Sequence, residues 1–131
     1  MVKVLNKNAQ GAIEFIIIFG AILFFFVLFL GIIQGNFSEK NKEKVVLVAQ
    51  NVALDAREEI NLAAESSNGY SRDFVLPENI LGEDYELNVS EGRVYLRMKE
   101  FATSYKVFNV TGYFVKGLNK IRKEDGQVYL N

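Results

Sequence analysis

The run Phe15–Ile33 constrains this chain more than any other stretch. It is nineteen residues long and holds no charged or strongly polar side chain. At about 1.5 Å of rise per residue, a helix of that length reaches roughly 28 Å, close to the ~30 Å of hydrocarbon in a bilayer. The run is long enough to span a membrane. It is apolar on every side, so packing along a single face cannot satisfy it. It is also longer than the apolar part of a removable secretory signal, about 7–15 residues. It closes in Gly31-Ile32-Ile33-Gln34-Gly35, which lacks the small-x-small cleavage pattern of such a signal. Lys3 and Lys7 precede the run; Lys40, Lys42 and Lys44 lie beyond it, offset in part by Glu39 and Glu43. Charge asymmetry therefore gives only weak guidance on orientation. One reading is a plain signal anchor. That reading does not explain Glu14, an ionisable group at the very edge of the run, where burial is expensive.

About a hundred of the 131 residues lie outside the run, enough for one small domain. Net charge is −1, which offers no basic field to nucleic acid. Histidine and cysteine are both absent. That removes the commonest general base, the commonest zinc ligands, thiol nucleophiles and disulfides together. There is no P-loop and no glycine-rich dinucleotide turn. Ser, Thr, Lys and carboxylates remain, but their spacing suggests no catalytic site. The expectation is a protein that is not an enzyme, with no cofactor and no metal.

Beyond Glu39 the helical pattern continues. Val45, Ala49, Val52, Ala56, Ile60 and Ala63 recur at steps of three or four, and the charges Asp55, Arg57, Glu58 and Glu59 fall elsewhere. No Pro or Gly interrupts Asn36 to Asn68, and Asn68-Gly69 suits a left-handed cap. The pattern predicts one helix, or two nearly continuous ones, from about Gly11 to Ser66, roughly 80 Å in all. Gly31 and Gly35 form a small-xxx-small pair, suited equally to a bend or to close helix approach. The second half of the helix, with one apolar face, is expected to pack on the C-terminal part of the same chain.

After Gly69 the period becomes two. Tyr85, Leu87 and Val89 alternate with polar residues, as do Val94, Leu96 and Met98, with Ser90-Glu91-Gly92 as the hairpin loop between. Ser104 to Val115 reads as strand, with Gly112 a bulge or break. Lys123-Glu124-Asp125-Gly126 turns between Leu118–Arg122 and Gln127–Leu130. Arg72 to Leu76, stopped by Pro77, reads as an edge strand. The expected head is one antiparallel sheet of about four to six strands, lying on the amphipathic helix.

The stretch Lys7-Asn8-Ala9-Gln10-Gly11-Ala12-Ile13-Glu14-Phe15 resembles the class III signal peptide of archaeal type IV pilin-like proteins. In that family a short basic leader precedes a Gln that becomes the first mature residue. A Glu stands four positions later, and the apolar helix starts at once. Asn8 intervenes between Lys7 and Ala9, where some relatives carry a basic residue nearer the cut. Tyr70 to Phe74, Leu76-Pro77 and Ile80-x-Gly82-x-x-Tyr85 also resemble heads of this class. The resemblance implies an α+β, pilin-like fold: one long N-terminal α-helix, membrane-spanning then amphipathic, and a small antiparallel β-sheet head. It implies a leader over 1–9 cut between Ala9 and Gln10 by a membrane-embedded prepilin peptidase. It further implies a transmembrane and filament-core helix over 10–35, an amphipathic helix over 36–68 and a head over 69–131. Gln10 and Glu14 would guide assembly, the new ammonium of one copy meeting the carboxylate of another. The implied partners are the peptidase, a secretion ATPase with its membrane platform protein, membrane lipid before assembly, and other copies in the filament. The implied location is the cell membrane for the single-pass precursor and the cell surface for the filament, serving adhesion.

Three N-x-S/T strings, at Asn36, Asn88 and Asn109, are candidate N-glycosylation sites for an extracellular chain. Asn36 adjoins the apolar run, where access is obstructed; Asn88 falls on the polar face of its strand. The acidic pairs Glu83-Asp84 and Glu58-Glu59 lack calcium-loop spacing and read as solvated surface, as do Arg93, Arg97 and Lys99. Three other readings stand beside a major filament subunit: a minor pilin that primes or tips filaments, a signal-anchored binding module that never polymerises, and an enzyme tethered to the membrane.

Overall fold

The computed structural model describes residues 7–131; Lys3 and most of the expected leader lie outside the described residues. The layout is α+β. One helix, α1 (Lys7–Glu65), precedes β1 (Ser71–Leu76), β2 (Glu86–Ser90), β3 (Arg93–Arg97), β4 (Ala102–Lys106), β5 (Val110–Gly112), β6 (Gly117–Glu124) and β7 (Gln127–Leu130). The chain divides into two units, the first ending at Lys42 and the second running Glu43–Asn131.

α1 is 59 residues long and a single helix. It already includes Lys7–Gln10, ahead of the start expected near Gly11. Lys7, Ala9 and Gln10 are good helix formers, and no breaker separates them from the apolar run. Helical structure continues without interruption through Gly31 and Gly35.

In the second unit, α1 buries one face: Ala49, Val52, Ala53, Ala56, Ile60 and Ala63. Four of these six are alanines, so this face of the helix is nearly smooth. Two sheets share the core with this face. One has the order β1-β6-β7-β5, the other β2-β3-β4. Leu76, Ile80, Val94, Leu96, Ile121 and Leu130 are buried beside Ile60. Each such side chain contributes about 1.5–3 kcal/mol relative to exposure.

The expected single antiparallel sheet is therefore corrected to seven strands in two sheets. β5 also pairs with β7 in parallel, Val110 opposite Val128 and Gly112 opposite Leu130. The separation occurs at Val107–Asn109, inside the stretch Ser104 to Val115 that reads as one strand. The Val107 amide donates to Gly92 O (2.9 Å), while the Phe108 amide donates to Asn61 Oδ1 on α1 (3.3 Å). The chain thus leaves β3 and is held by the helix before it reaches β7. Gly112 fixes the new pairing. Its φ is +125°, and a Cβ built on it would lie 1.9 Å from Leu130 O.

The expected hairpins are present. β2 and β3 pair in register from Glu86–Arg97 to Ser90–Arg93. Their turn residues Glu91 and Gly92 both have positive φ, as do Asp125 and Gly126 between β6 and β7. That geometry matches the twist of two-residue hairpins. β1 is an edge strand, as its stop at Pro77 predicts.

The end of α1 is held from a distance. Gly69 has φ +93° and donates its amide to Lys123 O (2.8 Å). Lys123 Nζ donates to Ala64 O (2.6 Å) and Ser66 O (2.8 Å). A cation thereby satisfies carbonyls at the negative end of the helix. Asn119, fully buried, is satisfied by the Val115 amide, by the Val115 and Gly117 carbonyls, and by Asn131 Nδ2.

Gly112→Ala should lower stability by about 2–3 kcal/mol or more, because clash and strain combine. Gly126→Ala, where a Cβ meets nothing within 4 Å, should cost only the left-handed strain, about 1–2 kcal/mol. Urea titration of the detergent-solubilised protein, followed by tyrosine near-UV circular dichroism, checks the difference; equal losses would contradict it.

Candidate functional site

The candidate site is the first part of α1, its polar opening turns from Lys7 and the apolar run that follows. Every large apolar residue from Ile13 to Ile32 is between 43% and 67% exposed. Successive residues turn by about 100° around a helix, so the exposure covers the whole circumference. The helix is long and apolar enough to cross a membrane, and none of its most apolar window is buried within the chain. Seven of the chain's eleven Phe lie on it: Phe15, Phe19, Phe24, Phe25, Phe26, Phe29 and Phe37. Phe15 and Phe19 stack with centroids 6.0 Å apart, and Phe24 and Phe25 meet edge to face at 5.9 Å. A Cβ at Gly20, Gly31 or Gly35 would meet nothing within 4 Å. Nothing within the chain requires glycine there, and these positions form low points on a bulky surface.

Ala9 and Gln10 lie in the opening turns of α1 and are exposed. Gln10 Nε2 donates to Glu14 Oε1 at 3.4 Å, one turn further on. This contact joins the Gln10 side-chain amide to Glu14 within one chain and is distinct from the expected pairing of ammonium and carboxylate between copies; the carboxylate is exposed, with acceptor capacity remaining.

The three sequon asparagines are separate in structure. Asn36 is exposed on α1, Asn88 on β2, and Asn109 in the link between β4 and β5. The acidic pairs each have a cation nearby: Glu59 faces Arg72 at 3.6 Å, and Asp84 pairs with Lys116. Arg93 and Arg97 share the outer face of β3 with Tyr95, while Lys99 lies past the end of the strand.

Comparison with families of proteins, with characterised proteins and with solved structures returned no match.

The perturbed titrations lie in the second unit, around Tyr85. Lys116 hydrogen-bonds Asp84 and holds its carboxyl below the usual 3.8. The same ammonium sits 4.9 Å from the centre of the Tyr85 ring, a cation–π contact. Tyr85 is buried and donates to Pro77 O at 2.5 Å. Burial, then the charges of Glu78 and Asp84, push its pKa from 10.0 up to about 12. Sequence reasoning places Tyr85 only as the first inward residue of an alternating run. Its hydroxyl bond and its cation come from Pro77 and Lys116, which no local pattern connects.

A folded-state pKa raised above the unfolded value stabilises the fold at pH values below the unfolded one. Tyr85 therefore contributes fully below pH 10 and loses that contribution as pH rises through about 12. In an absorbance titration at 295 nm, Tyr85 should ionise last, with loss of the fold. Tyr85→Phe should remove that alkaline step and cost about 0.5–1.5 kcal/mol at neutral pH from the lost hydrogen bond. An unchanged alkaline transition in the variant would contradict this account.

Proposed function

We propose that this chain is a structural subunit of an archaeal type IV pilus-like surface filament. The observation that carries the reading is the apolar surface of α1, exposed around its full circumference from Ile13 to Ile32. The second unit has its own closed core of helix face and two sheets, so the head does not need that surface for folding. Lipid covers it in the precursor. Sister helices cover it in the filament, where small positions such as Gly31 and Gly35 allow close approach.

In this reading a prepilin peptidase cuts between Ala9 and Gln10, removing the leader and giving Gln10 a free ammonium. Glu14 is bonded to the Gln10 amide of its own chain. In a staggered bundle it exchanges that neutral partner for the ammonium of a neighbouring copy, a stronger, charge-assisted bond. Inside an apolar bundle, an uncompensated carboxylate or ammonium costs about 3–5 kcal/mol. The pair thus selects one stagger among many. A secretion ATPase and its platform protein extract the subunit from lipid; adhesion is the proposed task of the product. The same apolar helix also suits a minor subunit or a simple anchor, and the test separates them.

Material purified from native cells should begin at Gln10 and be abundant in the fraction released by shearing. Glu14→Ala should still be trimmed, but sheared filament should fall at least tenfold. Glu14→Asp should recover part of the loss. An untrimmed N-terminus, or normal filament yield from Glu14→Ala, would overturn the reading.

A further inference from the structure

The outer face of the β2-β3-β4 sheet carries an array that the filament reading does not use. Register places Asn88 opposite Tyr95, and Tyr95 opposite Ser104. In the adjacent row Glu86 lies opposite Arg97, and Arg97 opposite Ala102. Arg97 Nη2 donates to Glu86 Oε2 at 2.8 Å, and Arg93 Nη2 donates to Ser104 Oγ at 2.9 Å. Arg93 is thereby tied to β4, while the Arg97–Glu86 pair stands largely in solvent above β3 and β2. Ala102 is the one short side chain of its row and leaves room beside Tyr95. The result is a depression of about 550 Å³ whose lining includes Glu86, Asn88, Tyr95, Arg97, Ala102 and Ser104. Tyr95 is 39% exposed within it.

This combination suits a pyranose. A sugar ring offers an apolar C–H face and a rim of hydroxyls that both donate and accept. An aromatic ring takes the face. Guanidinium donors, a carboxylate acceptor and a hydroxyl take the rim. The Arg97–Glu86 pair is neutral as a unit, which fits a neutral sugar.

The sugar need not arrive by diffusion. Asn88 is itself part of the depression and opens the string Asn88-Val89-Ser90, the acceptor pattern for N-linked glycans. Directly opposed residues on paired strands have Cβ atoms about 4.5–5.5 Å apart. A sugar attached at Asn88 therefore starts beside the Tyr95 ring, at an effective concentration that a free sugar does not reach on so open a site. Asn36 and Asn109 share the string but do not line this depression.

We propose that Asn88 carries an N-linked glycan whose first pyranose lies on Tyr95. Its donor is a lipid-phosphate-linked sugar, used by a membrane oligosaccharyltransferase. The Asn88 Nδ2 forms a bond to the anomeric carbon. The bond from that carbon to the phosphate oxygen breaks, the lipid phosphate leaves with the electron pair, and the amide nitrogen loses one proton. The proposal rests on the exported, surface-exposed head of the filament reading, but not on polymerisation.

The test uses full-length protein purified from its native cells. Peptide mass mapping should find a glycan on Asn88. Comparison with Asn88→Gln should show that the glycan raises Tm by on the order of a few °C. Tyr95→Ala should keep the glycan but lose that gain; Tyr95→Phe should keep both. A bare Asn88 overturns the proposal, including the case in which a bare site binds free pyranose through Tyr95. A glycan whose stabilising effect survives Tyr95→Ala overturns it as well. The same map reads the N-terminus. A Gln10 start with bare Asn88 defeats this inference alone, and a Met1 start with a glycan on Asn88 defeats the filament reading while leaving this inference standing.

Discussion

The apolar surface of α1 between Ile13 and Ile32 is the constraint on which the rest depends. None of its most apolar window is buried within the chain, and water is the environment it tolerates least. Sixteen large apolar side chains lie exposed there. At about 25 cal/mol per Å² of apolar area, leaving them in water would outweigh the 5–15 kcal/mol by which domains of this size are stable. The surface must always be covered by something other than the chain itself. In the proposed reading a bilayer is one cover and a bundle of copies is the other. The proposed life of the protein is the passage from the first to the second.

The second unit solves the opposite problem, that of closing a core completely with few residues and no disulfide. It does so through an alanine-rich helix face against two sheets. The polar ends of that arrangement are then tied by specific groups. Lys123 satisfies the last carbonyls of α1, Asn119 joins the β5–β6 link to Asn131, and Lys116 pairs with Asp84 across the Tyr85 ring. A head secured in this way can keep its shape whatever covers the first part of α1.

Much of this was legible in the sequence where the signal is local. The alanines at steps of three and four, the hairpin turns at Glu91-Gly92 and Asp125-Gly126, and the edge position of β1 all come from periodicity and turn chemistry. The division into two sheets was not legible. Val107–Asn109 contains neither Gly nor Pro; where the chain changes sheets there, the Phe108 amide donates to Asn61 on the helix, a partner 47 residues away in sequence. The parallel β5–β7 pair was also hidden, since alternation reports which face is buried and not which strand is adjacent. In the candidate site, the Gln10–Glu14 spacing was read from the resemblance to a class III signal peptide, and the side-chain bond between the two within one chain was not foreseen. The array around Asn88 was only half readable. The sequon is local, whereas Tyr95, Arg97 and Ser104 reach it through register.

The most direct measurement is cysteine scanning of the helix circumference. The chain has no cysteine, so each introduced thiol reports alone. Ile16→Cys, Ile17→Cys, Ile18→Cys and Phe19→Cys sample one full turn, and Ser67→Cys serves as the exposed reference. Each variant is treated with a membrane-impermeant maleimide in native membranes and in sheared, detergent-free material. The account predicts that all four helix positions stay protected in whichever fraction holds the protein, while Ser67→Cys reacts. Labelling of any one of the four at the rate of Ser67→Cys would show a face of the helix in water and would contradict it.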